Sequence, residues 1–462
     1  MDNKIVFNKN LIRRYDTSGP RYTSYPTAVQ FTTDFGLEDY LGGVNHSNED
    51  PIPSPLSLYL HIPFCDTICY YCGCSKVITK DKSKATPYIK LLKQEIKLQG
   101  ALFADDRLVS QIHWGGGTPT FLNDKEIYEI IECIRDNFNV PANHEIEFGI
   151  EVDPRTVNRK RLKNLSNLGF NRISFGVQDF DDQVQKSVNR IQSTEQIKQH
   201  IHDARKFDFQ SINIDLMYGL PNQTTDSFSK TLDTTIELAP NRIAIYNYAH
   251  LPDIFKPQRR INEEELPSAE EKLNILQLSI NKLQNSGYVY IGMDHFAKES
   301  DSLVKAQQNG SLHRNFQGYS THADCDMIAM GITAISRIGD NYSQNVRTID
   351  EYETYLKQNK IPIFRGIELE ADDVLRREVI NQLMCNNQLD ITKLEKKWKI
   401  NFKSYFKSSL DNLQKMADDN LIKIGNTKLV ITNNGRLLAR SICMQFDRYL
   451  EQKNDSRFSK II

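Results

Sequence analysis

Between about residues 56 and 292, short runs of β-branched and apolar residues alternate with longer stretches whose apolar positions recur at helical spacing. After Asn123, for example, the apolar positions recur three and four residues apart, which places them on one face of a helix. Repeated β-α units predict an α/β fold with a parallel sheet and right-handed crossovers. Six units are too few for a closed eight-stranded barrel, so we expect a partial (β/α)6 barrel. The six predicted strands cover 57–62, 109–114, 147–152, 172–177, 212–216 and 242–246.

The segments on either side of this region have different residue patterns. Residues 1–50 are loop-like, and residues 366–462 are mostly helical in pattern. A possible β pair at 422–424 and 429–432 follows the helical stretch, an order typical of a winged-helix-like domain. The sequence therefore predicts an N-terminal extension (1–50), a central α/β domain (51–365) and a mainly helical, winged-helix-like C-terminal domain (366–462).

The composition is that of an ordinary globular protein. Of 462 residues, 39% are hydrophobic and 25% are charged, which is enough apolar side chain for a sizeable core. The net charge of −1 produces no overall field that would attract nucleic acid or an anionic membrane, so neither is expected as a partner. No long apolar run or secretory signal is apparent, so we expect no membrane span and a cytoplasmic location.

Four of the eight cysteines lie within ten residues, at Cys65, Cys69, Cys72 and Cys74, directly after the first predicted strand. Such a cluster in a large chain indicates a metal site rather than a disulfide framework. The spacing C-x3-C-x2-C offers three thiolates, which can ligate three irons of a [4Fe–4S] cubane and leave the fourth iron open. The alternative is zinc, but zinc ribbons prefer two C-x2-C pairs and the chain has no second pair. The extra Cys74 is either a packed thiol or a residue that shapes the site.

A glycine-rich turn follows the second predicted strand, from His113 to Thr120. Its three consecutive glycines, Gly115, Gly116 and Gly117, would let the backbone approach a ligand closely and offer N–H groups to it. A tight turn without any ligand would favour the same residues, so the motif alone is weak.

Polar residues also end the later predicted strands. Glu151 and Asp153 end the third strand, where a carboxylate can bond a hydroxyl or an ammonium group, or Asp153 can cap a helix. Gln178 ends the fourth strand and Asp215 the fifth. Arg190 is either a carboxylate binder, because its planar fork suits bidentate pairing, or half of an exposed ion pair. Since the carboxyl ends of parallel strands meet at one edge, these residues predict a polar pocket there.

Together these motifs resemble the radical S-adenosylmethionine (SAM) superfamily and, within it, the oxygen-independent coproporphyrinogen III oxidase family. Tyr71, one place before the third cysteine, matches the aromatic position of the superfamily motif, and Thr118 stands where other branches have an acid. The match runs nearly end to end. The segments that carry it are 19–28, 65–74, 113–120, 151–154, 176–179, 247–252, 292–296, 312–319, 334–336 and 442–447.

The resemblance implies a reaction and its partners. Two propionates of coproporphyrinogen III, on rings A and B, would become vinyl groups with loss of CO2, giving protoporphyrinogen IX in haem biosynthesis. A 5′-deoxyadenosyl radical from SAM would abstract a hydrogen from the β-carbon of each propionate. The resemblance therefore implies a monomeric radical-SAM oxidoreductase that needs an electron donor, such as a flavodoxin or ferredoxin system, and an unidentified electron acceptor.

The resemblance also implies a [4Fe–4S] cluster and two SAM molecules side by side. The cluster would be held by Cys65, Cys69 and Cys72, with one SAM on the fourth iron. That first SAM would contact Tyr59, Gly116 and Glu151, with Tyr71, Ala249 and Ile335 nearby. The second SAM would contact Gly117, Thr118, Gln178, Arg190 and Asp215. Tyr59 and Glu151 are the predicted catalytic residues.

A reactive radical requires a closed site, and the Arg21-Tyr22 segment and the C-terminal domain are the candidates to cover it. Arg21 is also a candidate partner of a substrate propionate. One alternative function is a radical-SAM haem chaperone or haem-directed methyltransferase, but chaperone-like relatives typically lack both Cys74 and the segment 19–26. A non-enzymatic iron–sulfur or zinc protein is a further alternative, against which the glycine turn and the strand-end carboxylates argue.

Overall fold

The computed structural model describes residues 4–142, 145–323 and 325–450. The strands are β1 (Leu56–Ile62), β2 (Phe64–Cys65), β3 (Val77–Ile78), β4 (Val109–Gly116), β5 (Glu147–Val152), β6 (Arg172–Gln178), β7 (Ser211–Tyr218), β8 (Arg242–Asn247), β9 (Tyr288–Gly292), β10 (His295–Lys298), β11 (His313–Asn315), β12 (Gly318–Ser320), β13 (Asp326–Met330), β14 (Ile335–Ile338), β15 (Asn341–Asn345), β16 (Ile363–Glu368), β17 (Gln388–Asp390), β18 (Ile422–Ile424) and β19 (Lys428–Ile431). The α-helices are α1 (Lys9–Tyr15), α2 (Leu37–Asn48), α3 (Ala85–Gly100), α4 (Asp124–Asn137), α5 (Arg159–Asn167), α6 (Asp182–Ser187), α7 (Thr194–Lys206), α8 (Thr225–Leu238), α9 (Ala269–Asn285), α10 (Ser302–Asn309), α11 (Ile349–Lys357), α12 (Ala371–Asn386), α13 (Ile391–Trp398), α14 (Phe402–Tyr405), α15 (Lys407–Asp418) and α16 (Ala439–Cys443).

The chain forms two compact units. The first, called here the barrel unit, contains Phe31–Pro267 and Asp324–Glu368. The second, called the outer unit, contains Met1–Gln30, Ser268–Ala323 and Leu369–Ile462. The predicted boundaries at 50 and 365 describe continuous domains, whereas these units are discontinuous in sequence. The domain assignment stays a prediction, and residues 1–3 and 451–462 of its outer ranges lie outside the described residues.

The barrel unit is built on six parallel strands in chain order, β1, β4, β5, β6, β7 and β8. They coincide closely with the six predicted strands, so the predicted partial (β/α)6 barrel is confirmed. The sheet continues beyond β1 with β13, which is parallel to it, and then with β14, β15 and β16, which run antiparallel. This extension was not predicted, because its short strands lack the regular alternation with helices that marks the barrel.

The strand β1 and the helix α4 show why the barrel region could be recognised from its pattern. Leu58, Leu60 and Ile62 of β1 are fully buried, because a strand inside a parallel sheet is covered by other elements on both faces. Tyr59 is the one residue of β1 that is not fully buried. The helix α4 begins with a capping box, in which Asn123 and Glu126 each accept a hydrogen bond from the other's backbone N–H.

The outer unit is mainly helical. The helices α12 to α15 are combined with a three-stranded antiparallel sheet in the order β17, β19, β18, which confirms the predicted winged-helix-like region and its β pair. The first strand of that sheet, β17, was not predicted. The hairpins β9–β10 and β11–β12 also belong to this unit. Its core includes the aromatic cluster of Phe402, Phe406 and Phe446.

No helix in the described part of the chain is both long and apolar enough to cross a membrane.

Candidate active site

The cysteine segment leaves the carboxyl end of β1 and forms a loop that is closed at its base. The short parallel strands β2 and β3 pair at this base, and the Val77 N–H donates to the carbonyl of Pro63 at 2.7 Å. The Thr79 N–H likewise donates to the carbonyl of Cys65 at 3.0 Å. The cysteine loop is therefore anchored at both ends next to the barrel.

Two of the three motif thiols have hydrogen-bonding neighbours. The Cys65 Sγ lies 3.4 Å from the hydroxyl of Thr118. The Cys69 Sγ accepts from Arg190 Nη1 at 3.5 Å and from Arg155 at 3.6 Å. For the third thiol, the neighbouring side chain of Cys74 is the main cause of a lowered pKa of Cys72.

These contacts fit a [4Fe–4S] cluster. Cluster ligands are thiolates, and hydrogen bonds to their sulfurs stabilise the negative charge and tune the reduction potential. All eight cysteines are free, so none of the motif thiols is consumed in a disulfide. Within the described residues no three His, Cys, Asp or Glu side chains are arranged to hold a single metal ion.

A buried ion pair lies directly beneath Cys69. Arg190 Nη1 donates to Asp153 at 2.7 Å, and its other terminal nitrogen donates to the carbonyl of Gly176. Asp153 also accepts from the side chain of Arg155 at 2.7 Å and from its backbone N–H at 3.0 Å, so it caps a short helical turn as well. Although burial opposes it, the charges of Arg190 and Arg155 keep the pKa of Asp153 below its usual value.

This geometry settles two sequence-based alternatives. The interpretation of Arg190 as half of an exposed ion pair is wrong, because only 7% of the residue is exposed. Arg190 does bind a carboxylate, and that carboxylate belongs to Asp153 of the same chain. The expectation that Asp153 caps a helix is confirmed.

The glycine-rich turn packs against the start of the cysteine loop. The N–H groups of Gly117 and Thr118 donate to the carbonyls of Ile62 and Phe64 at 2.8 and 2.9 Å. A Cβ on Gly117 would lie 2.7 Å from the backbone of Pro63. The expectation that the glycines of this turn offer N–H groups to a ligand is therefore wrong for Gly117, since its N–H is already bonded within the chain.

Gly116 is required for a different reason. Its φ of +112° is in the region that favours glycine, and a Cβ there would lie 2.8 Å from the ring of His61. The turn therefore brings the ends of β4 and β1 into close contact, and its predicted contacts with SAM stay a prediction.

Tyr59, His113 and Glu151 form a row across the neighbouring strands β1, β4 and β5. The Tyr59 ring stacks on the His113 ring with centroids 6.1 Å apart and planes 13° apart. His113 Nε2 lies 3.4 Å from the carboxylate of Glu151, whose side chain is 46% exposed. Burial raises the pKa of Tyr59 well above its ordinary value, so this phenol stays protonated. The row presents one accessible carboxylate beside an aromatic surface.

Asp215 lies on β7 within a polar group that also includes Ser174 and Asn213. Its carboxylate accepts from the Ser174 hydroxyl at 2.7 Å and from the Asn213 amide at 2.8 Å. Burial raises the pKa of Asp215 to about 6. A carboxyl in such a position can change its protonation state when a charged ligand arrives.

Several buried polar atoms at the carboxyl ends of β6 and β8 have no hydrogen-bond partner among the described residues. They are Gln178 Oε1, Arg190 Nε and Asn247 Oδ1. Gln178 has a φ of +71° and sits at an irregularity in the β6–β7 register, which turns its side chain out of the regular alternation. Buried polar groups are normally bonded, so these atoms fit a polar ligand such as SAM.

The chain was recognised by comparison with known proteins. A family model described as the Radical SAM superfamily matches residues 59–235, and one described as the HemN C-terminal domain matches residues 369–438. Over 458 residues the chain is 48% identical to the oxygen-independent coproporphyrinogen III oxidase of Pseudomonas aeruginosa, with 99% of each chain covered. The chain belongs to the oxygen-independent coproporphyrinogen III oxidase family.

Two further comparisons agree with this membership. The oxygen-independent coproporphyrinogen III oxidase of Escherichia coli strain K12 is 49% identical over 460 residues, again with 99% of each chain covered. A solved structure, "Coproporphyrinogen III oxidase (HemN) from Escherichia coli is a Radical SAM enzyme", has a TM-score of 0.92 at 46% identity. The alignment covers 96% of this chain and 100% of that chain. Membership of this family confirms the predicted resemblance and implies a [4Fe–4S] cluster and SAM.

The remaining predicted site residues lie around the same edge of the barrel. Tyr71 is partly buried against the apolar cluster that contains Val184 and Tyr248. Ala249 lies two residues beyond β8, and Ile335 begins β14. The roles predicted for these residues in SAM binding stay predictions.

Sequence reasoning missed His113 and Arg155 as site residues. His113 is the first residue of the glycine-rich turn, and only the later residues of that turn were assigned a role. Arg155 directly follows a motif that ends at Pro154. The position of His113 between Tyr59 and Glu151 depends on the strand register, in which Tyr59 pairs with His113 and His113 with Gly149. A search for polar residues at every barrel strand, rather than at strand ends alone, would have found His113.

Proposed function

We propose that the protein catalyses the oxygen-independent oxidative decarboxylation of coproporphyrinogen III to protoporphyrinogen IX, a step of haem biosynthesis. The observation that carries this proposal is the 48% identity, over 99% of the chain, to an enzyme named for this substrate. The anchored cysteine loop, with hydrogen-bonding groups at the sulfurs of Cys65 and Cys69, supports the radical-SAM chemistry that such a reaction requires.

In this proposal Cys65, Cys69 and Cys72 hold the cluster, whose fourth iron binds SAM. When bound, the cluster and SAM supply a 5′-deoxyadenosyl radical, which can remove a hydrogen atom from the propionate β-carbon. The chain's own contribution is to hold the sulfurs in place. Arg190 and Arg155 each direct a hydrogen-bond donor at the sulfur of Cys69.

We further propose two SAM molecules. Glu151 and Tyr59 would contact the first one, because the half-exposed carboxylate suits an ammonium or a ribose hydroxyl and the phenol stays protonated. Gly116, Tyr71, Ala249 and Ile335 complete this set. Gln178 and Arg190 would contact the second, because Gln178 Oε1 and Arg190 Nε are buried atoms in need of partners. Gly117, Thr118 and Asp215 complete the second set.

The partners follow from the reaction. A one-electron donor such as a flavodoxin or ferredoxin system would reduce the cluster, and a separate acceptor would take the electron released on decarboxylation. We propose a monomer in the cytoplasm, which the absence of disulfides among the described cysteines supports, since thiols persist in reducing compartments.

An anaerobic product assay tests the function. The cluster-loaded protein is incubated with SAM, dithionite and coproporphyrinogen III, and the products are separated by mass. Protoporphyrinogen, 5′-deoxyadenosine and methionine are expected together. Cleaved SAM with unchanged coproporphyrinogen would overturn the proposal in favour of a haem-directed radical-SAM enzyme.

The cluster assignment is tested by Cys65→Ser, with Cys133→Ser as the matched control. Cys133 is a buried cysteine of α4 outside the motif. The Cys65 variant is expected to lose the brown colour, most of its iron and all SAM cleavage, whereas the control keeps them. Full SAM cleavage by Cys65→Ser would show that the ligand assignment is wrong.

A further inference from the structure

The hairpin β11–β12 of the outer unit carries an unusual set of buried hydrogen-bond donors. Arg314 Nε, Arg314 Nη1, Gln317 Nε2 and the Tyr319 hydroxyl are all buried and have no hydrogen-bond partner among the described residues. Three residues within one hairpin therefore contribute four polar atoms, each of which can donate. Buried polar groups are normally satisfied, so a concentration of unsatisfied donors requires an explanation.

Arg314 is the central member of this group. It is only 8% exposed, and its guanidinium lies 4.9 Å from the centroid of the Tyr319 ring, where it stacks on the aromatic face. The stacking holds the guanidinium in one orientation. It does not neutralise the charge, so a buried cation is left without an anion within the described residues.

The surroundings of Arg314 are positively charged. Arg436 donates to the carbonyl of Tyr290, and Arg440 donates to the carbonyl of Pro20 at 2.9 Å. Burial, together with the charges of Arg21 and Arg314, lowers the pKa of Arg440 to about 10, although the charge of Asp294 opposes this shift.

The nearby carboxylate of Asp294 is already paired with Arg21, whose Nη1 lies 3.2 Å from Asp294 Oδ2. Arg314 has no ion-pair partner among the described residues. Its charge and the free donors of the hairpin therefore favour an anionic ligand with more than one acceptor oxygen.

We propose that the hairpin β11–β12 is a carboxylate-binding site, with Arg314 as its main donor and Gln317 and Tyr319 as supporting donors, and that it receives a propionate of the tetrapyrrole substrate. The planar fork of a guanidinium matches a carboxylate in a bidentate manner, which explains why the donors are arranged around an arginine. The choice of a propionate rests on the proposed function, whereas the preference for a carboxylate rests on the hairpin.

The test measures binding rather than turnover. Cluster-loaded full-length protein is titrated anaerobically, without SAM, with coproporphyrin III, the stable fluorescent oxidised form that carries the same four propionates. The tetramethyl ester, which has the same ring without the carboxylates, is titrated in parallel. The variants are Arg314→Met, Arg314→Lys and, as the matched control, Arg13→Met, which removes an exposed arginine of the same unit.

Arg314→Met is expected to raise the Kd for the free acid at least tenfold and to leave the Kd for the ester unchanged. Arg314→Lys keeps the charge without the planar fork, so its Kd for the free acid should lie between those of Arg314→Met and the wild type. The Kd of Arg13→Met should match that of the wild type. Unchanged binding of the acid by Arg314→Met would overturn the proposal. Equal loss of acid and ester would also overturn it, because a carboxylate contact cannot affect the ester.

SAM binding, measured separately, distinguishes the source of the carboxylate. Arg314→Met should bind SAM as the wild type does, and a selective loss of SAM affinity would assign the carboxylate to methionine and overturn the choice of a propionate. The outcome is also separable from that of the proposed function. If the wild type forms protoporphyrinogen and Arg314→Met keeps the wild-type KM, the carboxylate site alone is refuted. If porphyrin binding depends on Arg314 but the wild type does not convert coproporphyrinogen III, the proposed function alone is refuted.

Discussion

Arg190 of the barrel unit and Arg314 of the outer unit are both buried, but their bonding differs. At the carboxyl edge of the barrel, Arg190 is bonded to Asp153, to the carbonyl of Gly176 and to Cys69. In the hairpin of the outer unit, Arg314 is equally buried, yet two of its nitrogens have no hydrogen-bond partner among the described residues. A buried cation with protein partners holds the chain in place, whereas one without them is available to a ligand.

Glu95 is a second buried ionisable group of the barrel unit whose hydrogen bonds are satisfied. This residue of α3 is fully buried and accepts from the Tyr352 hydroxyl, from the Gly331 N–H at 2.8 Å and from the Asn345 amide at 2.7 Å. It thereby fixes the turn that follows β13, the parallel neighbour of β1. Satisfied buried groups in the barrel unit are therefore not limited to arginine.

The largest effect is expected from Arg190→Met. Removing this guanidinium leaves the buried carboxylate of Asp153 with Arg155 as its sole ion-pair partner among the described residues, and breaking a buried pair typically costs about 3–5 kcal/mol. Anaerobic urea unfolding of the cluster-loaded protein should show this loss, together with a lower iron content because Cys69 loses a donor.

A double variant provides the control for Arg190→Met. Asp153→Asn removes the stranded charge, so the combined change should destabilise the protein by less than the sum of the single changes. Strict additivity would mean that the pair is not coupled, contrary to the geometry described above.

An intermediate, pH-dependent effect is expected from Glu95. Burial raises the pKa of its carboxyl from 4.5 to about 7, so the folded protein keeps a proton that the unfolded chain releases. Stability should therefore fall as the pH rises between these two values, by about 1.4 kcal/mol per pH unit, and the fall should stop above the folded pKa.

Glu95→Gln tests this pH dependence, because the amide cannot ionise. Relative to wild type, the variant should become progressively more stable as the pH is raised from 5 to 7 in urea unfolding experiments. Parallel stability curves for the two proteins would contradict the assignment of this slope to Glu95.

The smallest effect, of opposite sign to that of Arg190→Met, is expected from Arg314→Met. In the absence of porphyrin, replacing a buried unpaired cation by an apolar side chain of similar length should stabilise the protein by about 1 kcal/mol. Saturating coproporphyrin III should stabilise the wild type more than the variant and so reduce or reverse the difference. If ligand-free Arg314→Met were destabilised by as much as Arg190→Met, the contrast between the two arginines would be refuted.

The sequence by itself determined the barrel, the cysteine loop and the family. The six barrel strands alternate with helices, and that local pattern is repeated often enough to be read without knowledge of contacts. Cys65, Cys69 and Cys72 lie within eight residues, so their spacing alone restricts the chemistry that they can support. The strands β13 to β16 were missed because they are short and do not alternate regularly with helices. The strand β17 was missed because it has three residues and pairs with β19, which is distant in sequence.

Only the tertiary structure decided how the polar side chains are used. Arg190 and Arg314 look alike in sequence, and the former is paired with Asp153, 37 positions away, while the latter is enclosed by the outer unit without an anionic partner among the described residues. The N–H group of Gly117 was expected to face a ligand, yet it donates to the carbonyl of Ile62. Hydrogen-bond satisfaction depends on which groups meet after folding, and the long-range contacts that bring them together leave no local pattern in the sequence.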